Sequence, residues 1–490
     1  MLNKLQEKQI FLLWVTGILY ILPLLIANVQ YYDDIGRSIY GYFSWGIDGR
    51  PLSDLVFIAL DIGSPATDIA PFPQLISILM LTTLCYFMHR YLNPDHRYGW
   101  LIFTPIFLSP FFIQNLAFRF DSITMSLSVI MAAMPLFFMS GGKGKLFLCS
   151  ATCVLFSLCL YQASLSVFVA TICLYVIFSV NKEYGTKNII AETAIAATGM
   201  LIGYIIYSKI IVPIFVVSDY AGIYNHMIES PDDLSSNILT TIGILKTFFV
   251  GPISKIFSCV LFFALLGLFL FITKVCRSPV GIGERSLRLL LVILSIVIII
   301  LCIPGPGLAL KSMPIGPRVF IGFGFSISLL LSFISFISKR HQCKLNIIPA
   351  MLIVVSFSYM ATFCTATKSQ EKLTEKIIDE VSMDMYKVGL ENVKTITVDG
   401  TMLYTPVAMK SVMKYPLMRQ MVPLYFDGNS AWGVVKMTEL YVGPSQPSQD
   451  RQREIIANRC SMNKLSDNGL YRVFYKDGDM LISFSGEKCL

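Results

Sequence analysis

Long apolar stretches recur along the chain between residues 10 and 364, and they exclude most soluble folds. A bilayer core takes about 20 apolar residues of helix to cross. Hydrophobic residues make up 55% of the chain and charged residues 14%, whereas soluble domains carry about 25% charged residues. We therefore expect an α-helical polytopic membrane protein with about eleven transmembrane helices. The candidate spans are Ile10–Val29, Pro71–Met88, Trp100–Leu116, Ile123–Met139, Leu146–Leu160, Ala163–Val180, Ile189–Val217, Phe248–Ile272, Leu287–Ile303, Val319–Ile337 and Ile347–Cys364.

Basic residues lie in short clusters between these stretches, and the clusters fall in alternate loops. Because cytoplasmic loops are enriched in Lys and Arg, the pattern predicts a cytoplasmic amino terminus and a carboxy-terminal region on the outer side. The chain has a net charge of +8, but its basic residues are spread over several short clusters and do not form one basic face. This distribution argues against nucleic-acid binding. The clusters are Lys4 and Lys8; Arg90 and Arg97; Lys143 and Lys145; Lys182 and Lys187; Lys274, Arg277, Arg285 and Arg288; and Lys339, Arg340 and Lys344.

The composition changes after Cys364, so we predict a transmembrane domain over residues 1–364 and an external α/β domain over residues 365–490. Residues Glu371–Tyr386 have the apolar spacing of an amphipathic helix. Asn392–Val398 alternates like a strand, and Leu470–Phe484 has the pattern of a hairpin that turns at an Asp-Gly pair. Cys460 and Cys489 are the cysteines of this polar region; they either pair in an oxidising compartment or remain free thiols.

Residues Gln30 to Asp54 contain many acids, arginines and aromatic residues. They follow the first apolar stretch directly, where the chain is expected to leave the membrane. Sugar transfer needs a base for the acceptor hydroxyl, a cation for the departing phosphate and a surface that orients sugars. This stretch has candidates for all three, which indicates that residues 30–70 form the catalytic first outer loop of a membrane glycosyltransferase. The candidates are the acids Asp33, Asp34 and Asp48, the arginines Arg37 and Arg50, and the aromatic residues Tyr31, Tyr32, Tyr40 and Trp45.

The adjacent acids Asp33 and Asp34 also have a simpler interpretation. Asp33 and Arg37 are spaced i,i+4, which on an exposed helix gives a surface ion pair of about 0.3–0.5 kcal/mol. Neighbouring residues on a helix point about 100° apart, so one acid is expected to face a site while the other supports it. The crowding of charges favours a catalytic role, and the sequence leaves open which acid is the base.

Arg119 and Asp121 occupy a very short outer turn between two predicted spans. Charges at that depth are costly and are candidates for function, although snorkelling to the interface is the alternative for Arg119. Gln162 lies at the next outer turn, where capping a helix is its simpler role.

The Pro- and Gly-rich loop Pro304–Pro317 on the predicted outer side presents Lys311, and Arg318 follows it directly. They run against the positive-inside bias, so they are candidates for binding an anionic lipid headgroup, with snorkelling as the alternative.

The chain has no nucleotide-binding glycine loop and no zinc-ligand spacing. One Asp-x-Asp triplet, Asp477 to Asp479, falls in the predicted hairpin turn. An enzyme that works outside the cell membrane has no nucleotide sugar available, so the topology predicts a lipid-linked donor. We expect neither a cofactor nor a metal.

Three segments carry a resemblance to a known family: YYDDIGRSIYGYFSWGIDGRPLSD at residues 31–54, FRFDSITMSLS at 118–128 and YQASLS at 161–166. They resemble the bacterial and phage O-antigen glucosyltransferases, the serotype-converting Gtr proteins, which belong to the membrane glycosyltransferases of the GT-C type. The resemblance extends over the membrane part of the chain and is weakest after Thr365.

The resemblance implies that glucose passes from undecaprenyl phosphate glucose to a sugar of the lipopolysaccharide O-antigen, on the periplasmic side of the bacterial inner membrane, with inversion. It implies Asp33 or Asp34 as the base, cations at the donor phosphate, and polar or aromatic groups at the substrates. Functional partners of the family are a flippase and a synthase of the donor lipid. The resemblance implies that Arg37, Arg50, Arg119 or Arg318 binds the donor phosphate and that Asp121 positions the acceptor or an arginine. The residues themselves add Lys311 as a candidate for binding phosphate, and Tyr32, Trp45 and Gln162 together with Asp121 as candidates for binding substrate.

Three other functions compete with this one. The first is transfer of another lipid-linked sugar to a surface polymer. A transporter or lipid flippase would carry internal repeats and ionisable residues in mid-span, whereas here the charges lie at outer span ends and no repeat is visible. A scaffold that binds a partner through its external domain leaves the acids of the first outer loop unexplained.

Overall fold

The structure, a computed structural model, describes residues 2–94, 96, 98–218, 222, 226–337, 345–430, 432–439 and 444–486. Most of these residues are helical. Seven of the described helices are long and apolar enough to cross a bilayer, and one bent pair adds an eighth candidate. The chain is therefore a membrane protein. The basic residues Arg97, Lys339, Arg340 and Lys344, and also Cys489, lie outside the described residues, so the predictions made on them stay predictions.

The α-helices and strands of the described chain have the following bounds. The helices are Leu2–Ala27, Asp33–Tyr40, Pro51–Leu60, Phe72–Leu92, Trp100–Phe103, Pro105–Leu108, Ile113–Ala117, Ser122–Ala133, Lys143–Leu160, Leu165–Asn181, Thr186–Ile206, Val212–Phe215, Pro231–Phe248, Gly251–Cys276, Ile282–Leu301, Gly322–Ser335, Ile347–Val388, Pro406–Lys414, Trp432–Met437 and Gln449–Ala457. The strands are β1 (Thr395–Asp399), β2 (Asn463–Asp467), β3 (Arg472–Lys476) and β4 (Asp479–Ser483).

Each of the eleven predicted spans overlaps helical residues, but several are short or broken. Trp100–Leu108 and Pro110–Ala117 form a pair bent by 44°, because a proline within a helix removes a hydrogen bond and clashes with the preceding turn. Ser122–Phe138 and Gly322–Ser335 are shorter apolar helices, and Ile282–Leu301 has three charged residues among its first seven. The number of spans therefore stays a prediction.

The chain divides into two compact units. The membrane unit comprises Met1–Leu25, Phe43–Ser64 and Ile69–Ala361, and the C-terminal unit comprises Ile26–Tyr42, Pro65–Asp68 and Thr362–Leu490. The predicted first outer loop is consequently shared: the acid pair belongs to the C-terminal unit, and the residues from Phe43 to Ser64 belong to the membrane unit.

Close helix contacts in the membrane unit depend on small residues. Helices Lys143–Leu160 and Thr186–Ile206 pack along Gly199 and Gly203. A Cβ atom at Gly203 would lie 2.4 Å from the carbonyl oxygen of Ala151. Helices in lipid associate largely through such close backbone packing, which explains these glycines within an apolar span.

The C-terminal unit contains a four-stranded sheet in the order β1-β4-β3-β2. Strand β1 pairs with β4 in parallel, and the other pairs are antiparallel. The predicted hairpin is confirmed: Asp477 and Gly478 join β3 to β4 with φ of 50° and 94°, as a two-residue type I′ turn requires. The predicted strand is confirmed with shifted ends, as β1.

The last predicted span and the predicted amphipathic helix form one continuous helix, Ile347–Val388. Its predicted apolar face is confirmed, since Ile377, Ile378 and Val381 are buried in the core of the C-terminal unit with residues of the sheet.

Candidate active site

The acid pair begins the helix Asp33–Tyr40 of the C-terminal unit. Asp34 is fully buried, and its Oδ2 accepts the backbone N–H of Tyr31 at 3.0 Å. Asp33 is half-buried, and its carboxylate makes no hydrogen bond or ion pair within the part of the chain that the structure describes. The two acids therefore differ: Asp34 stabilises the helix start, and Asp33 keeps free acceptor oxygens.

The simpler interpretation of the acid pair, a surface ion pair between Asp33 and Arg37, is not what the structure contains. Arg37 is buried, and its guanidinium carbon lies 5.6 Å from the ring centroid of Tyr42. Burial of an arginine requires partners for its charge, so Arg37 is part of the interior of the C-terminal unit.

Tyr32, directly before the acid pair, has strained backbone angles, with φ 48° and ψ −105°. Such a conformation costs about 1–3 kcal/mol in a residue other than glycine and persists only where its surroundings impose it. The ring of Tyr32 lies 4.8 Å from that of Tyr31 and 6.0 Å from that of Tyr425. Backbone strain in the residue directly before the acid pair is typical of a functional segment.

The membrane unit has a cavity of about 210 Å³. Arg50 and Arg318 both line it, together with Asp48, Gln162 and residues of the Pro- and Gly-rich loop. That loop contains a short 3₁₀ turn, Gly305–Ala309, and a second one, Pro317–Val319, begins at its last residue. The cavity combines two cations with polar acceptors and is therefore suited to an anionic, hydroxyl-rich ligand.

Arg50 lies among carboxylates and an aromatic ring. Its Nη2 is 3.5 Å from Asp48 Oδ2, and its Nη1 is 3.4 Å from Asp121 Oδ1. Its guanidinium carbon is 5.9 Å from the ring centroid of Tyr161. The buried Nε of Arg50 has no hydrogen-bond partner among the described residues. Asp121 thus contacts an arginine, and its expected role in positioning one stays a prediction.

Trp45 is fully buried, which corrects its expected role as a surface for stacking sugars. Its ring packs 5.5 Å from that of Phe57, and its Nε1 donates to Asp121 Oδ1 at 2.8 Å. An aromatic residue stacks on a ligand only through an accessible face. Trp45 therefore holds Asp121, and through Asp121 it positions Arg50.

A tight turn presents Asp48 and Arg50 to the cavity. The backbone N–H groups of both residues donate to the carbonyl of Trp45. Gly49 between them has φ 79°, which is unfavourable for residues with a Cβ. The hydroxyl of Tyr207 donates to the carbonyl of Gly49 at 3.0 Å, and Gln162 Nε2 donates to that of Asp48 at 2.9 Å. Gln162 is therefore used to hold this turn.

Substitution Gly49→Ala is expected to distort this turn. A Cβ atom there would lie 2.7 Å from the Tyr207 hydroxyl, and the left-handed conformation costs a further 1–2 kcal/mol, approximately. We expect a lower midpoint of thermal unfolding and reduced activity. Gly243→Ala is the matched control, since a Cβ atom added at this helical glycine would meet nothing within 4 Å, and the variant is expected to gain about 0.5–1 kcal/mol. Equal unfolding midpoints for the two variants would contradict the strain assigned to the Gly49 turn.

The remaining predicted cations have different surroundings. Arg119 is buried in the turn before helix Ser122–Ala133. Arg318 lies with its guanidinium carbon 5.1 Å from the ring centroid of Phe118. Lys311 is half-exposed, pairs with Glu229 at 2.7 Å and does not line the cavity. Arg50 and Arg318 thus line the same cavity, and Lys311 does not line it.

Two supporting residues were not among the predicted site residues. Tyr207 holds the Gly49 turn, and its hydroxyl within an apolar span was the available signal. Ser218 donates to Asp48 Oδ1 at 2.6 Å, and nothing local in the sequence indicated this. No group of three or more His, Cys, Asp or Glu side chains suited to a metal ion occurs among the residues that the structure describes.

Comparisons with known proteins give two matches. The family model described as Glucosyl transferase GtrII matches residues 22–329. A protein of Salmonella phage P22, described as an uncharacterized 55.3 kDa protein in the gtrB 5' region, is 31% identical over 429 residues, which are 86% of this chain and 87% of that protein. No solved structure matches the chain.

Proposed function

This chain belongs to the glucosyl transferase GtrII family, and from that premise we propose that it transfers glucose from undecaprenyl phosphate glucose to a sugar of the lipopolysaccharide O-antigen. The observation that carries the proposal is the cavity of the membrane unit, which both Arg50 and Arg318 line. Arginine is suited to the planar, bidentate recognition of phosphate oxygens. A pair of arginines in a membrane protein therefore supports a lipid phosphate as the departing group.

In the proposed reaction Asp33 takes the proton from the acceptor hydroxyl. That oxygen attacks the anomeric carbon of glucose, the bond from this carbon to the phosphate oxygen breaks, and the configuration inverts in a single displacement. Arg50 and Arg318 stabilise the negative charge that develops on the departing undecaprenyl phosphate. The free acceptor oxygens of Asp33 support its choice as the base over Asp34, which is already bound to Tyr31.

The other predicted residues take supporting roles in this proposal. Asp121 and Trp45 orient Arg50, and Gln162 holds the Gly49 turn. Tyr32 and Arg37 belong to the C-terminal unit with the acid pair. We keep Arg119 as a candidate for the donor phosphate, because a buried arginine at the end of a membrane helix is costly without a function.

The cellular experiment compares the O-antigen of a host with and without this gene. The proposal predicts added glucose on the repeating unit only when the gene is expressed together with the donor-lipid synthase and the flippase. An O-antigen of unchanged composition under those conditions would overturn the proposal, and addition of a different sugar would favour the competing transferase.

We further propose that the protein lies in the bacterial inner membrane with its C-terminal unit in the periplasm, as the basic loops indicate. An alkaline phosphatase fused after Leu490 is then expected to be active, since this enzyme folds only in an oxidising compartment. A β-galactosidase fused at the same residue is expected to be inactive. The reverse result would contradict the proposed orientation.

A further inference from the structure

The C-terminal unit contains a buried ion pair between Lys436 and Glu371. The Lys436 Nζ lies 3.1 Å from Glu371 Oε1, and the two side chains are 7% and 13% exposed. A buried ion pair is a weak source of stability, because desolvation offsets the attraction between the charges. The ion pair is therefore more important for the positions of the side chains around it than for the stability of the fold.

Tyr425 lies against this ion pair. The Lys436 Nζ is 5.9 Å from the centroid of the Tyr425 ring. Tyr425 is fully buried, and its hydroxyl donates to the carbonyl of Gln30. Burial, followed by the negative charge of Glu371, raises the pKa of Tyr425 well above its usual value. The hydroxyl therefore stays protonated and remains a donor to Gln30.

The residues directly before the acid pair are all held by this part of the C-terminal unit. Besides the bond to Gln30, the hydroxyl of Tyr31 donates to the carbonyl of Met421. The ring of Tyr32 lies edge-on to that of Tyr425, and Tyr32 is the residue with the strained backbone. A strained conformation persists only when neighbouring contacts impose it, and here those neighbours come from residues some 390 positions away in the chain.

We propose that Lys436 is a positioning residue for the acid pair: together with Glu371 it holds Tyr425, which fixes Gln30 and Tyr32 and so sets the direction of the Asp33 carboxylate. The inference rests on the proposed function only in taking Asp33 as the base. It gives the part of the C-terminal unit after residue 361 a role in the reaction, although the matched family region ends at residue 329.

The test uses the full-length protein in detergent, with undecaprenyl phosphate glucose and lipid-linked O-antigen. Lys436→Met keeps an unbranched stem and removes the charge. We expect kcat to fall by about 10²-fold, since a small displacement of a reacting group has an effect of that size, while KM for the donor changes little. Lys436→Arg restores the charge and is expected to recover much of kcat. Lys464→Met is the matched control, because Lys464 is 54% exposed and pairs with Asp467 on β2.

A second readout does not depend on catalysis. In Lys436→Met the amides of residues 30–40 are expected to exchange hydrogen faster than in wild type, while those of β3 and β4 keep their protection. Because Lys436→Met removes a cation from beside the buried Glu371 carboxylate, the double variant Lys436→Met/Glu371→Leu is measured in parallel; replacing both charges by apolar groups is usually tolerated. It is expected to fold and to show the same loss of kcat and of protection.

The proposal is overturned if the folded double variant keeps wild-type kcat, or if residues 30–40 keep their protection in it. It is also overturned if the kcat of Lys464→Met falls as far as that of Lys436→Met. Failure of the wild-type protein to transfer glucose from the lipid donor would instead refute the proposed function, and the exchange measurement would still decide whether Lys436 positions the segment.

Discussion

Substitution Asp33→Asn is expected to lower the rate constant of glucosyl transfer by about 10²–10⁴-fold, the usual contribution of a general base. The asparagine side chain keeps the size of aspartate but cannot take the proton from the acceptor hydroxyl. Asp33 makes no hydrogen bond or ion pair among the described residues, so stability should change little. The measurement is single-turnover transfer by the purified protein, with thermal unfolding as the check on folding.

Two variants make this prediction specific to Asp33. Asp34→Asn retains an oxygen that can accept the Tyr31 N–H, so we expect a modest loss of stability and a smaller loss of rate than for Asp33→Asn. Asp450→Asn is the surface control in the same unit, since its carboxylate is 94% exposed. If Asp33→Asn transfers glucose at the wild-type rate while Asp34→Asn does not, the base has been assigned to the wrong acid.

Substitution Arg50→Ala is expected to lower kcat by about 10²–10³-fold, the effect of removing one donor from a developing negative charge. It would also remove the cation beside Asp48, a carboxylate that lines the cavity, which opposes binding of an anionic donor and raises its KM. Arg50→Lys is expected to recover only part of the activity, because one ammonium group cannot replace the planar fork of donors. Steady-state kinetics with the lipid donor measure both parameters.

The control for Arg50 is Arg277→Ala, which removes an exposed arginine of the membrane unit that does not line the cavity. We expect its activity to stay within about twofold of wild type, as is usual for a surface change of this kind. Loss of activity in Arg277→Ala equal to that in Arg50→Ala would show that the cavity has no special part in catalysis.

Much of the helical architecture could be predicted from the sequence because crossing a bilayer demands long apolar runs. The bend between Trp100–Leu108 and Pro110–Ala117 was not predicted, although Pro105 and Pro110 were the available signal. The hairpin at Asp477 and Gly478 was predicted because an Asp-Gly pair favours a two-residue turn. Strand β2 was missed because its sequence, NKLSD, lacks apolar alternation and its residues are largely exposed at the sheet edge.

The candidate site was only partly predictable. Its acids and arginines stand out because they crowd one stretch next to a span. Their surroundings depend on distant residues: Trp45 donates to Asp121, which is 76 positions away, and Gln30, shortly before Asp33, accepts from Tyr425, which is 395 positions away. No local pattern encodes such contacts. The sequence therefore identified Trp45 as a candidate, but it predicted a ring open to sugars where the structure has a buried one.

The central claim is that glucose comes directly from a lipid phosphate donor. Its most direct test incubates the purified protein with undecaprenyl phosphate [¹⁴C]glucose and lipid-linked O-antigen, and follows the label. We expect the label to move into the O-antigen without any nucleotide sugar, and we expect Asp33→Asn and Arg50→Ala each to slow this transfer by at least about 10²-fold. Labelling that occurs only with UDP-glucose, or that proceeds at the wild-type rate in both variants, would contradict the claim.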